Sequence, residues 1–77
     1  MTLTSTEKET VLKYLKNGKE VASAASCVID HNNSHITKIP LVAFSDGFFQ
    51  WTTEDIYNLE KNNELFDDKI IKYILNN

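Results

Sequence analysis

The sequence predicts an α+β fold in one domain over residues 1–77, with an N-terminal helix, a small antiparallel sheet of about three strands and two C-terminal helices. Three observations predict it. Apolar residues recur at helical spacing near both ends of the chain, β-branched and aromatic residues are concentrated between them, and Asp46-Gly47 separates two apolar runs. Because the helices precede and follow the strands, we expect them to pack on one face of the sheet.

The first helix is predicted over residues 5–17. Its start carries two Thr-x-x-Glu pairs with the spacing of a capping box, namely Thr4 with Glu7 and Thr6 with Glu9. Its apolar stripe comprises Val11, Leu12 and Leu15. Asn17-Gly18 is expected to end the helix, because both residues tolerate the left-handed conformation that is common at a helix C-terminus.

Extended chain is predicted for the middle of the sequence. Val21–Asp30 is expected to form one strand or two short extended pieces before the loop segment His31–Ser34. Leu41–Phe44 has the composition of a buried strand. Asp46-Gly47 is expected to supply the positive φ of a hairpin turn, so that Phe48–Trp51 returns antiparallel.

Both C-terminal helices are predicted to begin with a capping residue. Thr52 is placed to accept a hydrogen bond from the backbone N–H of Asp55, and Asn62-Asn63 to end that helix. Asp67 is placed to cap the last helix. The apolar stripe of that helix comprises Ile70, Ile71 and Ile74.

A chain of 77 residues has little apolar material to spare. Such a domain buries only about 60% of the surface that its unfolded chain exposes. A cavity of roughly 300 Å³ or more, usual for an active site, is hard to place beside so small a core. We therefore predict that the chain is not an enzyme and holds no cofactor. The predicted core comprises Val11, Leu12, Leu15, Val28, Ile29, Ile39, Leu41, Val42, Phe44, Phe48, Trp51, Ile56, Leu59, Phe66, Ile70, Ile71 and Ile74.

The sequence carries no targeting signal that we recognise. No apolar run approaches the roughly 18 residues of a membrane span, and Met1–Glu7 lacks the basic and apolar regions of a secretory signal. Cys27 is the only cysteine, so no disulfide forms within the chain. These features predict a cytoplasmic protein without a membrane partner.

Charge is distributed unevenly along the chain. Residues 1–45 carry five lysines against four acids, whereas residues 46–77 carry three lysines against seven acids. All eight basic residues are lysines. Since arginine is the residue most used to bind phosphate and base edges, we do not expect nucleic-acid binding. A surface with negative charge attracts a basic partner instead.

Cys27, His31 and His35 are spaced four residues apart, and on one helix they would share a face suited to zinc or copper. The intervening Asn32-Asn33-Ser34 predicts a loop, in which this spacing brings nothing together. A nucleophile and base formed by Cys27 and a histidine would also need an orienting group and a cleft. We therefore predict no metal site, and expect a small buried cysteine with two solvent-facing histidines.

The candidate partner-binding residues are acidic or aromatic. The segment from Glu54 to Asp68 contains six acids and only one lysine. Acids at the start of a helix interact favourably with the positive end of the helix dipole. A general acid–base pair would need a desolvated carboxylate, so a solvated face is the expected role. Because side chains alternate between the two faces of a strand, Phe48 is expected to lie on the face opposite Trp51 and to be partly exposed. It is then available as an anchor for a partner. The predicted partner-binding residues are Glu54, Asp55, Tyr57, Glu60, Glu64, Asp67, Asp68 and Phe48.

A series of short motifs runs from Leu12 to Ile74. They are Tyr14-Leu15-Lys16-Asn17-Gly18, Val21-Ala22-Ser23-Ala24, Asp46-Gly47, Gln50-Trp51-Thr52, Glu54-Asp55, Tyr57, Leu59-Glu60-Lys61-Asn62-Asn63 and Phe66-Asp67-Asp68. In this order they resemble a group of small bacterial proteins, many of which are immunity or inhibitor proteins of polymorphic toxin and contact-dependent inhibition systems. The chain departs from that pattern at Asn58, where a second tyrosine is usual, and at Asp67, where a proline often opens the last helix.

The resemblance implies a cytoplasmic immunity-type inhibitor that binds and occludes a basic toxin domain, of which a nuclease is the expected kind. The acidic side chains would then replace the phosphates of the nuclease substrate. The alternative is a non-catalytic homodimeric or adaptor module that uses an exposed sheet edge near Leu41–Phe44. In either case a monomer or a weak homodimer is expected.

Overall fold

The computed structural model describes residues 3–76, so residues 1–2 and 77 of the predicted domain lie outside the described part of the chain. The elements in chain order are α1 (Ser5–Lys16), β1 (Lys19–Asp30), β2 (His35–Ser45), β3 (Gln50–Thr52), α2 (Thr53–Asn62) and α3 (Asp68–Leu75). The predicted α+β fold is confirmed: one helix, a three-stranded antiparallel sheet and two further helices follow in that order.

The helix starts follow the predicted capping chemistry. Thr4 and Glu7 form a capping box at α1, and Thr52 and Asp55 form one at α2. Asp67 caps α3 by accepting a hydrogen bond from the backbone N–H of Lys69 at 2.9 Å. Each of these side chains satisfies an N–H group that the helix itself leaves without an acceptor.

β1 and β2 form one long antiparallel hairpin, paired from Lys19 and Ser45 at its base to Asp30 and His35 at its tip. The tip is a turn over residues 31–34. The register of the hairpin shifts at three places. Such irregularities strengthen the local twist of a ribbon and bend it out of the plane of the sheet.

β3 pairs with only three residues of β2, from Ala43 to Ser45. The strand order is β1-β2-β3, which puts β2 in the centre and β1 at one edge. The expectation of an exposed sheet edge near Leu41–Phe44 is therefore wrong, because that segment belongs to the central strand.

The predicted Asp46-Gly47 hairpin turn is not confirmed. β2 and β3 are joined by a loop of four residues, 46–49, so Phe48 and Phe49 precede the strand instead of starting it. The Asp46 carboxylate explains the longer loop, because its Oδ1 accepts the backbone N–H groups of Phe48 and Phe49, both at 2.9 Å. Gly47 has φ +96°, so the positive φ expected of this glycine is present.

One apolar cluster joins the helices to the sheet. Trp51 of β3 is 1% exposed and its Nε1 donates to the carbonyl of Leu15 in α1 at 2.9 Å. Gly18 allows this approach, because a Cβ atom there would lie 2.5 Å from the Trp51 ring. The buried members of the cluster are Val11, Leu15, Trp51, Ile56, Leu59, Ile70, Ile71 and Ile74.

Three predicted core residues are exposed. Val28 and Asp30 are buried on either side of Ile29, so the alternation of the strand directs Ile29 outward. Ile39 lies on the irregular part of β2 before Pro40 and is also exposed. Phe48 is exposed because it belongs to the loop between β2 and β3. Other predicted core residues are only partly buried, namely Leu12, Leu41, Val42, Phe44 and Phe66.

Candidate functional site

A group of polar side chains joins the tip of the β1–β2 hairpin to α2 and to the segment that follows it. We refer to this group as the turn cluster. It comprises Asp30, His31, Glu54, Tyr57, Asn58, Asn62 and Glu64, which include three of the predicted partner-binding residues. Its inner members hold the hairpin on α2, and its outer members carry charge at the surface.

Asn58 lies at the centre of the turn cluster and is 2% exposed. Its Nδ2 donates to the carbonyl of Ile29 at 2.9 Å and to that of Glu54 at 3.0 Å. Its Oδ1 accepts the backbone N–H of His31 at 2.9 Å and Nδ2 of Asn62 at 2.8 Å. All the hydrogen-bonding capacity of this buried amide is therefore used: two of its bonds attach α2 to Ile29 and His31, and the other two lie within α2.

Asp30 is the second buried polar residue, at 3% exposure. Its Oδ1 accepts from Nδ2 of Asn62 at 3.0 Å and from the backbone N–H groups of Asn32 and Asn33. Its Oδ2 accepts the hydroxyl of Tyr57 at 2.8 Å and the side-chain amide of Asn33. This carboxylate therefore completes the turn as well as binding α2.

These bonds fix the protonation state of Asp30. Hydrogen bonds from Asn62 and Tyr57 hold the pKa of the Asp30 carboxyl well below its usual value. The same bond raises the pKa of Tyr57 above its usual value, because the neighbouring carboxylate favours the protonated hydroxyl. An ionised carboxylate that already accepts five hydrogen bonds is occupied in holding the fold.

His31 lies on the outer side of the turn cluster between two carboxylates. Its Nδ1 is 2.7 Å from Oε1 of Glu64, and its Nε2 is 3.4 Å from Oε2 of Glu54. The hydrogen bond with Glu64, followed by the charge of both acids, raises the pKa of His31. The carboxylate of Glu54 is also held by β1, because its Oε1 accepts the backbone N–H of Ile29 at 3.2 Å.

The remaining predicted acids occupy other places. Asp55 lies inside its capping box, where burial raises the pKa of its carboxyl. Glu60 forms an ion pair with Lys16 of α1 at 2.9 Å, which lowers the pKa of Glu60. Asp67 and Asp68 are exposed at the start of α3. The six acids therefore form separate groups rather than one continuous row.

Phe48, the predicted anchor, is 79% exposed in the loop before β3. Its ring centre lies 5.9 Å from that of Tyr73 in α3, which also contacts Phe49 at 5.3 Å. The loop is further tied to α1, because the hydroxyl of Tyr14 donates to the carboxylate of Asp46. That hydrogen bond raises the pKa of Tyr14 above its usual range. Phe48 is thus an exposed ring on a fixed loop.

The three residues of the possible metal pattern lie in different elements: Cys27 in β1, His31 in the turn and His35 at the start of β2. The turn that separates them includes the predicted loop residues Asn32-Asn33-Ser34. His31 is engaged with acids of α2 and the following segment. Within residues 3–76, no group of three or more histidine, cysteine or acidic side chains is placed to hold a metal ion. The predicted burial of Cys27 is only partly correct, since the residue is of intermediate exposure.

The inner residues of the turn cluster were not predicted from the sequence. Asp30 had a signal, because it follows the buried Val28 by two residues and so faces the same side of the strand. No feature of the sequence indicates that Asn58 and Asn62 are part of the turn cluster, since an asparagine within a short helix is usually solvent-facing. Their partners in the hairpin lie between 27 and 32 residues away in sequence and become neighbours only when the hairpin bends onto α2.

Comparison of the chain with protein-family models, with curated proteins and with solved structures finds no match. Among residues 3–76, no helix has the length and apolar character needed to cross a membrane.

Proposed function

We propose that this chain is a cytoplasmic immunity-type protein that binds and occludes a basic toxin domain, a nuclease being the expected kind. The surface involved is the outer side of the turn cluster together with the start of α3. The chain acts by covering the toxin and has no catalytic role of its own.

The proposal rests on how few of the predicted acids are neutralised by lysines of the chain itself. Of the six predicted acids, Glu60 alone is paired with a lysine of the chain within residues 3–76. Glu54, Asp55 and Asp67 instead accept bonds from backbone N–H groups, which orient a carboxylate without removing its charge. Asp68 is exposed. Negative charge thus remains on Glu54 and Asp67, whose carboxylates are already ordered by backbone N–H groups, and on the exposed Asp68. Ordering before binding reduces the entropy cost of association.

An exposed aromatic side chain is also available, in the loop at the base of the β1–β2 hairpin and so at the end of the hairpin away from the turn cluster. Phe48 is exposed and its loop is held in place by Asp46. Exposed aromatic side chains contribute strongly to binding when a partner buries them. Tyr57 is a weaker candidate, because it is partly buried and its hydroxyl is bonded to Asp30.

The proposal is tested with the product of the adjacent reading frame as the candidate toxin. Coexpression of this chain should restore growth, and the two proteins should copurify at low salt but less well at high salt. The informative variants are Glu64→Lys and Asp68→Lys, because both residues are exposed and neither belongs to a capping box. Glu64→Lys also removes the pair with His31, so its stability is measured by urea unfolding beside that of the parent. We expect each to reduce copurification and protection.

Glu9→Lys is the matched control, since Glu9 is an exposed acid on α1, outside the proposed surface. It makes the same change in net charge and should leave binding as it is. The proposal fails if copurification is independent of salt, or if all three charge reversals weaken it equally.

A further inference from the structure

The outer edge of β1 differs between its two ends. At the hairpin tip α2 covers this edge, because Glu54 accepts the N–H of Ile29 and Asn58 bonds both Ile29 and His31. Nothing in the described part of the chain pairs with the edge over Val21–Cys27. The open stretch therefore lies between the start of β1 and the part that α2 closes.

The backbone of the open stretch is directed outward at Ser23. Ser23 lies opposite Val42 in the β1–β2 ladder. Val42 donates its N–H to Oγ1 of Thr53 at 3.0 Å, on the side of β2 away from β1. In an antiparallel ladder, both residues of such a pair turn their N–H and C=O groups away from each other. Ser23 consequently presents its peptide groups to the free edge.

The side chains of this stretch offer little resistance to a second strand. Val21–Cys27 contains no charged residue, no proline and no glycine, and residues 21–26 are exposed. Natural sheet edges are commonly protected by lysine or proline at such positions. Over Val21–Cys27, the register shifts of the hairpin are the only feature that protects the edge.

We propose that this edge pairs with the same edge of a second copy of the chain, antiparallel and around a two-fold axis at Ala24. Ala24 is the midpoint of the open stretch, so each Ala24 lies opposite its own counterpart and Val21 lies opposite Cys27 of the second copy. Pairing of this kind joins the two sheets into one of six strands, in which the two β1 strands are central. It does not depend on the binding of a toxin.

Charge favours this register. In this antiparallel arrangement the start of β1 in one copy, with Lys19, approaches the end of the open stretch in the other, where Glu54 occupies the edge at Ile29. Lys19 forms no ion pair within residues 3–76 and is exposed. Each copy thus brings an unpaired lysine to the carboxylate that ends the open edge of the other. Opposite charges of this kind meet twice, once on each side of the axis.

The dimer is expected to be weak. Seven residues of strand extend only about 23 Å, and a contact of that length buries less than the roughly 800 Å² per partner of a stable interface. Sedimentation velocity of the full chain over a range from micromolar to millimolar should therefore show a dimer fraction that rises with concentration.

Ala24→Lys should abolish the dimer at every concentration, because it places like charges opposite each other at the axis. Gln50→Lys is the matched control: it adds the same charge to an exposed position of β3, at the opposite edge of the sheet, and should dimerise like the parent. Far-ultraviolet circular dichroism confirms that both variants are folded.

Cysteine cross-linking locates the axis independently. In a Cys27→Ser background, Ala24→Cys should form a covalent dimer on mild oxidation, because opposed residues in such a pair lie about 5 Å apart, within disulfide reach. Ala22→Cys in the same background should not, since its two copies are displaced along the strands by about 13 Å. The proposal is overturned by a parent chain that stays monomeric at millimolar concentration, or by equal cross-linking at the two positions.

Discussion

Asn58 of α2 holds His31 in the hairpin turn: the Asn58 Oδ1 accepts the backbone N–H of His31 at 2.9 Å, while its Nδ2 donates to the carbonyl of Ile29, near the end of β1, also at 2.9 Å. The asparagine side chain therefore pairs with the end of β1 as a neighbouring strand would. This contact both ends the open edge of the sheet and fixes the histidine that lies between Glu54 and Glu64.

Replacing Asn58 by alanine should destabilise the chain strongly. The substitution removes a side chain that is 2% exposed and leaves the partly buried N–H of His31 and carbonyl of Ile29 without their partner. An unsatisfied group of this kind costs about 1–3 kcal/mol. We expect a loss of about 3 kcal/mol in the free energy of unfolding, measured in urea. Asn32→Ala, at an exposed position of the same turn, is the control and should cost much less. Equal losses would contradict the role given to Asn58.

The His31 pair predicts a pH-dependent part of stability. The pKa of His31 is raised in the folded state. Its protonated form therefore stabilises the fold fully below the pKa of a histidine in the unfolded chain, about 6.5. This stabilisation is lost as the pH rises through the pKa of His31 in the folded state. The stability difference between the parent and His31→Gln should therefore be larger at pH 5.5 than at pH 8.5. Urea midpoints of both proteins, with His35→Gln as control, check this, and a difference that grows with pH would refute it.

Asp30 predicts the opposite dependence at lower pH. The pKa of Asp30 is lowered in the folded state. Its carboxylate therefore stabilises the fold fully above the pKa of an aspartate in the unfolded chain, about 4. This stabilisation is lost as the pH falls toward the pKa of Asp30 in the folded state. Asp30→Asn should therefore be less stable than the parent at pH 6, and the gap should narrow below about pH 4. Asp68→Asn serves as the exposed control. A gap that stays constant between pH 6 and pH 3 would show that the charge of Asp30 is unimportant.

The two glycines should respond differently to substitution by alanine. At Gly18 a Cβ would lie 2.5 Å from the ring of Trp51, which is buried and bonded to Leu15, so overpacking of about 2 kcal/mol is expected. At Gly47 no atom lies within 4 Å, and the cost comes only from φ +96°, at roughly 1 kcal/mol. Thermal unfolding of both variants tests the order. A milder effect at Gly18 than at Gly47 would mean that Trp51 can move.

Local chemistry made the ends of the helices predictable. Thr4, Thr52 and Asp67 each cap the helix that the sequence assigned to them, because a cap depends on residues only a few positions apart. The loop before β3 was predicted less well. Asp46 there uses its side chain to accept two backbone N–H groups, and this stabilises a longer loop than the Asp-Gly pair alone indicates.

The site was predictable only in its exposed parts. Glu54 and Glu64 were identified from the charge pattern, but their shared partner His31 was expected to be a free loop histidine. The position of His31 depends on Asn58, and that contact forms only after the irregular β1–β2 ribbon bends toward α2. Nothing in the sequence near either residue specifies that bend.

The most direct test of the proposed function is the association rate constant of this chain with the toxin domain, measured by stopped flow over a series of ionic strengths. An acidic surface that steers a basic partner predicts a rate constant that falls by about tenfold or more as salt increases. Glu64→Lys and Asp68→Lys should lower the rate constant at low salt, whereas Glu9→Lys should not. A rate constant that is the same at every ionic strength would contradict the account.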